Sequence, residues 1–221
     1  MNTSDQQPVL ITGASGFIGV HLARVLAERG RRVFCLVRPT SQVKQLLAAG
    51  AELATGDVTD RESVARAVAA SKARVVFHLA GLVRAMSAED FIRANAAGVE
   101  AVAAACSEQV QRPVLLLVSS LAAAGTSGVA PKLELDPPLP VSDYGRSKFA
   151  GEQAAARFAD TLPVTVVRPS AVFGAGDRGM YEVFKPVARS GIHVVCGRGD
   201  RHLSLIAVAD LVECIVLAAE K

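Results

Sequence analysis

At 221 residues, 51% of them hydrophobic and 20% charged, the chain is long enough to bury a sizeable core and too apolar to stay disordered. Its 24 Lys and Arg against 21 Asp and Glu leave a net charge of +3 spread along the sequence, which gives no electrostatic footprint for nucleic acid. No window approaches the roughly 20 uninterrupted apolar residues of a membrane span, and Met1 to Pro8 lacks the basic and apolar regions of a signal peptide, so a cytoplasmic protein with no membrane partner is expected.

In chain order, short β-branched runs alternate with Ala-rich helical stretches, a pattern that predicts parallel strands joined by crossover helices. A strand over Val9 to Thr12 leads into a helix from Phe17 to Arg29. Strands over Val33 to Val37 and Glu52 to Thr55 flank a helix from Gln42 to Ala49. Next come a helix from Arg61 to Ala70, a strand over Arg74 to Leu79, and a long helix from Ala88 to Gln109. A strand over Val114 to Ser119, a helix from Tyr144 to Ala159 and a strand over Val164 to Arg168 complete this part. Several strands are continuously apolar, as both-sided burial requires. The fold class is therefore α/β, a doubly wound parallel sheet. Past Pro169 the segments shorten, and glycines crowd in at 174, 176, 179, 191, 197 and 199 before an apolar helix from Val208 to Glu220. Residues 1–169 read as one domain and 170–221 as a second, partial one. The cysteines Cys35, Cys106, Cys196 and Cys214 are far apart, without metal spacing, and read as buried free thiols; no metal is expected.

The first chemical signal is Thr12-Gly13-Ala14-Ser15-Gly16-Phe17-Ile18-Gly19, placed between strand one and helix one. Gly13 permits the tight turn, Gly16 lets the backbone approach a pyrophosphate, and Gly19 packs helix against sheet, while the helix N-terminus favours the phosphate charge. Strand two ends in Arg38, with no acidic residue for a ribose diol. A guanidinium suits a 2′-phosphate, so NADP(H) is favoured over NAD(H). Asp57 and Val58 after strand three stand where an adenine ring is met, and Leu79, Ala80 and Gly81 after strand four allow the cofactor close to the backbone.

The second signal is Tyr144-Gly145-Arg146-Ser147-Lys148. Tyr144 and Lys148 share a helix face, so the ammonium is expected to lower the phenol's pKa toward working pH and fit it for proton exchange with a substrate oxygen. Tyr181 and Lys185 have the same spacing but follow a glycine-rich loop outside the sheet, and read as packing or substrate lining.

With Phe77-His-Leu-Ala-Gly81, Asn95, Val118-Ser-Ser-Leu121 and Arg168-Pro-Ser-Ala-Val-Phe-Gly174 added, these pieces run in order over almost the whole chain. Together they resemble the extended short-chain dehydrogenase/reductases, the NAD-dependent epimerase/dehydratase group, and within it the branch similar to dihydroflavonol reductases and 3β-hydroxysteroid dehydrogenases. The resemblance implies a Rossmann-like dinucleotide-binding domain over 1–169, a partial substrate lobe over 170–221 with a segment that returns to the main domain, and a Ser/Tyr/Lys triad. Ser119 and Ser120 compete for the first place, and the family's Ser-x4-Gly pattern counted back from Gly125 favours Ser120. Ser120 would hydrogen-bond the substrate oxygen, Tyr144 exchange its proton, Lys148 hold the nicotinamide ribose, and Asn95 position Lys148 through water; Pro169 joins the cofactor-binding set. His78 and His21 read as satisfied core histidines.

Two departures matter. Sugar dehydratases of the group carry Asp-Glu after the catalytic Ser/Thr, where this chain has Leu121-Ala122, so dehydration by that route is not expected. Extended members also continue for on the order of a hundred residues beyond the equivalent of Lys221, which leaves a fragment, a truncation or a minimal variant as readings. The expected function is an NAD(P)-dependent oxidoreductase acting on a carbonyl or secondary alcohol of a small apolar or ring-bearing substrate. The stretch Leu121 to Gly125 and the loop Val172 to Tyr181 would line its pocket. A nucleotide-sugar epimerase with tightly held NAD, and a non-catalytic dinucleotide sensor or scaffold, are the alternatives. A homodimer through the helices Ala88 to Gln109 and Tyr144 to Ala159 is possible on the resemblance.

Overall fold

The structure, a computed structural model, describes residues 7–127, 130–192 and 203–220. Strands buried on both faces need unbroken apolar runs, and β1 (Val9–Thr12), β2 (Val33–Val37), β4 (Val75–His78) and β5 (Val114–Val118) supply them at the centre of the sheet. The more exposed β3 (Glu52–Thr55) and β6 (Val164–Val167) form its edges. The order is β3-β2-β1-β4-β5-β6, with every pair parallel. From β1 the chain steps outward through β2 and β3, then returns to lay β4 on the other side of β1. That reversal opens a crevice beyond the carboxyl ends of β1 and β4.

Successive residues of each strand serve opposite layers, as the period of two dictates. Ile11, Cys35, Phe77 and Leu116 pack under α1 (Phe17–Glu28), α2 (Lys44–Ala48) and α9 (Val208–Ala219), through Leu22, Leu26, Leu46, Leu211 and Ile215. Leu10, Leu36, Val76 and Leu115 pack under α3 (Arg61–Ser71) and α5 (Gly98–Ser107), through Val64, Val68, Val102 and Cys106. The doubly wound α/β fold read from the sequence is the one found.

Differences lie in the details. The single helix expected over 88–109 is α4 (Ala88–Ile92), a five-residue π turn (Arg93–Ala97) and then α5. α6 (Leu121–Ala124) precedes α7 (Asp143–Ala156). Beyond β6, β7 (Ala171–Phe173) pairs in parallel with β8 (Leu205–Ala207), and α8 (Arg178–Ser190) stands between them in sequence. Cys35 and Cys106 are buried, and burial pushes both thiols up to about 12. Cys214 is a correction: it is exposed, because α9 turns Leu211, Val212, Ile215 and Val216 inward and leaves position 214 outside. Cys196, Gly197 and Gly199 lie outside the described residues. No described helix is long and apolar enough to cross a membrane.

Candidate active site

At the crevice lies a cleft of about 370 Å³ whose lining includes Gly13, Ser15 and Gly16, then Arg38, Asp57 and Val58, and, just after β4, Leu79, Ala80 and Gly81. An adjoining hollow of about 150 Å³ is formed by Phe17, Ile18 and Gly19 with Leu79 and Val118. Gly13 is required twice over. Its φ of 71° is a left-handed conformation, and a Cβ there would lie 2.5 Å from the Ala80 nitrogen. The two strand ends are joined by Thr12, whose Oγ1 sits 2.7 Å from His78 Nδ1 and accepts from the Ala80 N–H at 3.4 Å. No side chain caps α1 at Gly16, so the unpaired N–H groups of its first turn are available to an anion. A glycine turn with no room for a side chain, opening onto an uncapped twelve-residue helix, fits a dinucleotide pyrophosphate.

At the other end of the cleft Arg38 is exposed and close enough to Asp57 to act on its charge. Burial pushes the Asp57 carboxyl up, but the Thr59 N–H and Oγ1, at 2.9 and 2.7 Å, and the Arg38 guanidinium outweigh it and hold Asp57 below the usual carboxylate range. Sequence reasoning missed Ser41, Thr59, Asp90 and Arg93, which also line the cleft; Arg93 is paired with Asp90 at 2.6 Å.

The proton-handling group gathers at the end of β5. Ser142 caps α7 by accepting from the Gly145 N–H at 3.0 Å, which fixes Tyr144 in the first turn. Tyr144 is half-buried, rests its ring 6.0 Å from that of Phe91, and is hydrogen-bonded with Ser120. One turn on, Lys148 is buried and its Nζ donates to the Val118 carbonyl at 2.8 Å. Burial pushes the amine down to about 8, against the opposing charge of Glu152. The expected lowering of Tyr144 is not found: burial raises its pKa, and the Ser120 hydrogen bond only partly opposes this. Burial is the larger effect, and the Lys148 ammonium is engaged by the Val118 carbonyl.

The two serines separate cleanly. Ser119 is buried and donates to the Glu152 carboxylate, which Arg168 grips at 2.9 and 2.6 Å. Ser120, the N-cap of α6, accepts from the Ala122 N–H at 3.2 Å and faces Tyr144. Asn95 is buried in the π turn. Its Oδ1 accepts from the Leu82 N–H at 2.7 Å, and its Nδ2 donates to the Leu82 carbonyl and to Ser147 Oγ, both at 2.9 Å. It thus holds the loop after β4 against α7. A Cβ on Gly81 would come 2.7 Å from Asn95 Oδ1 and 3.8 Å from Lys148 Nζ, so loop, amide and amine lie together.

Pro169 does not line the cleft; its carbonyl accepts from the Leu121 N–H at 2.8 Å at the start of α6. Tyr181 is exposed on α8 beside Lys185, whose Nζ is 5.6 Å from the ring. His78 is fully buried, bonded to Thr12 through Nδ1 with Nε2 unpartnered, so it is only partly satisfied. His21 is not a core residue: it is partly exposed and pairs with the Ala175 carbonyl at 2.8 Å. Among the described residues no cluster of His, Cys, Asp and Glu is placed to hold a metal.

A glycine-turn cleft at the switch point of a parallel sheet, with Tyr and Lys one turn apart beside it, is the arrangement of a Rossmann-like dinucleotide-binding fold. The chain belongs to the NAD dependent epimerase/dehydratase family, whose model matches residues 9–221. It is 37% identical, over 95% of its length, to a ceramide reductase of Caulobacter vibrioides. Over 98% of its length it is 29% identical to a 3 beta-hydroxysteroid dehydrogenase/Delta 5→4-isomerase of Mycobacterium tuberculosis. It spans 60% and 61% of those two proteins. The structure of UDP-glucose 4-epimerase from Thermotoga maritima, with UDP-glucose, is similar at a TM-score of 0.84 and 25% identity, over 96% of this chain and 73% of that one.

Proposed function

We propose that this chain carries the dinucleotide-binding and catalytic parts of an NADP(H)-dependent oxidoreductase that interconverts a carbonyl and a secondary alcohol. The observation that carries this reading is the grouping of Ser120, half-buried Tyr144 and buried Lys148 beside an uncapped helix N-terminus. Gly13, Gly16 and the first turn of α1 would hold the pyrophosphate, Arg38 a 2′-phosphate, and Lys148 the nicotinamide ribose; when bound, the nicotinamide supplies or accepts the hydride. In the reducing direction Ser120 Oγ holds the substrate oxygen and Tyr144 Oη donates the proton to it. A phenol held above its ordinary pKa is neutral at working pH, as that acid role requires. The small-molecule substrate is read as apolar or ring-bearing. The compounds named for the two curated relatives, a ceramide and a 3β-hydroxysteroid, support this, as does the apolar stretch from Leu121 to Ala124. A cytoplasmic setting, with no nucleic-acid partner, belongs to the same reading.

Similarity to the Thermotoga epimerase favours a second reading, oxidation and re-reduction of one sugar carbon with retained NAD and no net use of reductant. The test is loss of reduced-nicotinamide absorbance against a panel of apolar ketones. Tyr144→Phe is expected to lower kcat by about 10²- to 10⁴-fold while NADPH affinity, measured by calorimetry, stays within about threefold. Undiminished turnover in Tyr144→Phe rejects the assignment, and epimerised product without nicotinamide consumption moves the conclusion to the second reading.

A further inference from the structure

Behind the triad lies an ionic cluster that the mechanism above does not use. Glu152, one turn beyond Lys148 on α7, is only 7% exposed. Its carboxylate accepts from Ser119 Oγ, from Arg168 Nε at 2.9 Å and from an Arg168 terminal nitrogen at 2.6 Å. Ser119 follows β5 and Arg168 follows β6, so two strand ends and a helix meet on one buried carboxylate. Each partner is next to a working residue. Ser120 follows Ser119, Lys148 precedes Glu152 on the same helix, and Pro169, which follows Arg168, receives the Leu121 N–H just beyond Ser120. A buried ion pair is a poor device for stability alone, since well-packed apolar residues often do as well. One hydrogen bond joining the segment that carries Ser120 to the helix that carries Tyr144 and Lys148, and two more tying that helix to the end of β6, give it a use in geometry.

The same carboxylate acts on Lys148. On α7 Tyr144 and Glu152 stand one turn to either side of Lys148, and His78 on β4 feels its charge, with Arg168 beyond Glu152; Glu152 is the acid among them, and its charge opposes the effect of burial on the amine. We propose that Glu152 is a positioning residue for this site: its carboxylate holds Ser120 in register with Tyr144 and lends negative charge to the surroundings of Lys148. The proposal rests on the oxidoreductase reading for its kinetic consequence and on the cluster alone for its effect on the amine.

The test compares Glu152→Gln with wild type in the full chain. With an accepted ketone, kcat is expected to fall at least about tenfold, with the NADPH Kd within about threefold, and the alkaline limb of the kcat profile is expected to move to lower pH as the charge that supports the ammonium is lost. A readout free of turnover accompanies it. The Lys148 Nζ signal is followed by nitrogen NMR in lysine-labelled protein, assigned with Lys148→Met. It is expected to titrate near pH 8 in wild type and lower in Glu152→Gln. Wild-type kcat in Glu152→Gln overturns the proposal. So does a fall in kcat with the Lys148 titration unmoved, which marks a plain scaffold. A moved titration in a protein that reduces no ketone supports the charge effect and rejects the oxidoreductase reading instead. If Glu152→Gln fails to fold because Arg168 is left as an unpaired cation, the double variant Glu152→Gln/Arg168→Gln removes both charges and faces the same measurements.

Discussion

Arg38 and Asp57 set the electrostatics at the far end of the cleft, and they oppose each other there. Asp57 is held ionised by Thr59 and Arg38, and alone it would repel a phosphate. Arg38, exposed on the cleft lining, offsets that charge and offers two parallel donors. Arg38→Ala is therefore expected to weaken NADPH by roughly 1.5 to 3 kcal/mol, the range for a lost hydrogen bond to a charged group, and NADH by much less. Calorimetric titration with each nucleotide decides it: equal weakening of both removes Arg38 from the specificity argument. How far single residues were legible depends on where their partners lie. Tyr144 and Lys148 show in the sequence because helical spacing of four is local. The Lys148 bond to the Val118 carbonyl spans thirty positions and two elements, and the burial that raises Tyr144 depends on how those elements pack, so neither had a local sign. The preference for Ser120 over Ser119 rests on a pattern in the sequence, whereas the bond that engages Ser119 with Glu152 needs the fold.

Among elements, β4 carries the feature most exposed to pH. His78 is wholly buried, bonded to Thr12 through Nδ1, with Nε2 unpartnered, and burial together with the Lys148 charge holds its pKa down at about 3. In the unfolded chain the same imidazole titrates near 6.5. Between those values the unfolded state binds the extra proton, so the stability associated with neutral His78 is complete above about pH 6.5 and is lost as pH falls toward 3, by at most about 1.4 kcal/mol per pH unit. His78→Gln keeps an acceptor for Thr12 without titrating. Urea unfolding of wild type and variant between about pH 7 and pH 4 is expected to show the wild type losing stability faster, and parallel losses would mean that His78 is not the group responsible. The strands were legible to within a residue or so because buried parallel strands leave unbroken apolar runs. α6, β7 and β8 have four, three and three residues, too few for a period to register, and α8 hides behind Gly179 and Pro186. The π turn leaves no compositional trace either. Its context is a close approach, with Gly151 of α7 set against the Asn95 carbonyl where a Cβ would clash.

At the scale of the whole molecule, the last described helix belongs to the first layer. α9 buries Val208, Leu211, Val212, Ile215, Val216 and Ala219 in the same cluster as Leu22 and Leu26 of α1 and Leu116 and Val118 of β5. Surface pairs add to this contact, Arg29 with Glu213 at 2.5 Å and Arg31 with Glu220 at 3.3 Å. Their weights differ sharply. Both Arg29 and Glu213 keep a third or more of the side chain in water, so their attraction is screened and offset by side-chain entropy. Ile215 has no exposure, and truncating it removes apolar contacts on a core the sheet cannot collapse around. Ile215→Ala is expected to cost about 2 to 5 kcal/mol, and Glu213→Ala less than about 1 kcal/mol, by urea unfolding with an unchanged denaturant slope. If α9 were a peripheral appendage, Ile215→Ala would cost no more than Glu213→Ala, and the unfolding midpoint would be insensitive to both. A large and selective cost at Ile215 ties α9 to the sheet that carries the cleft, so that the cleft and this helix unfold as one unit.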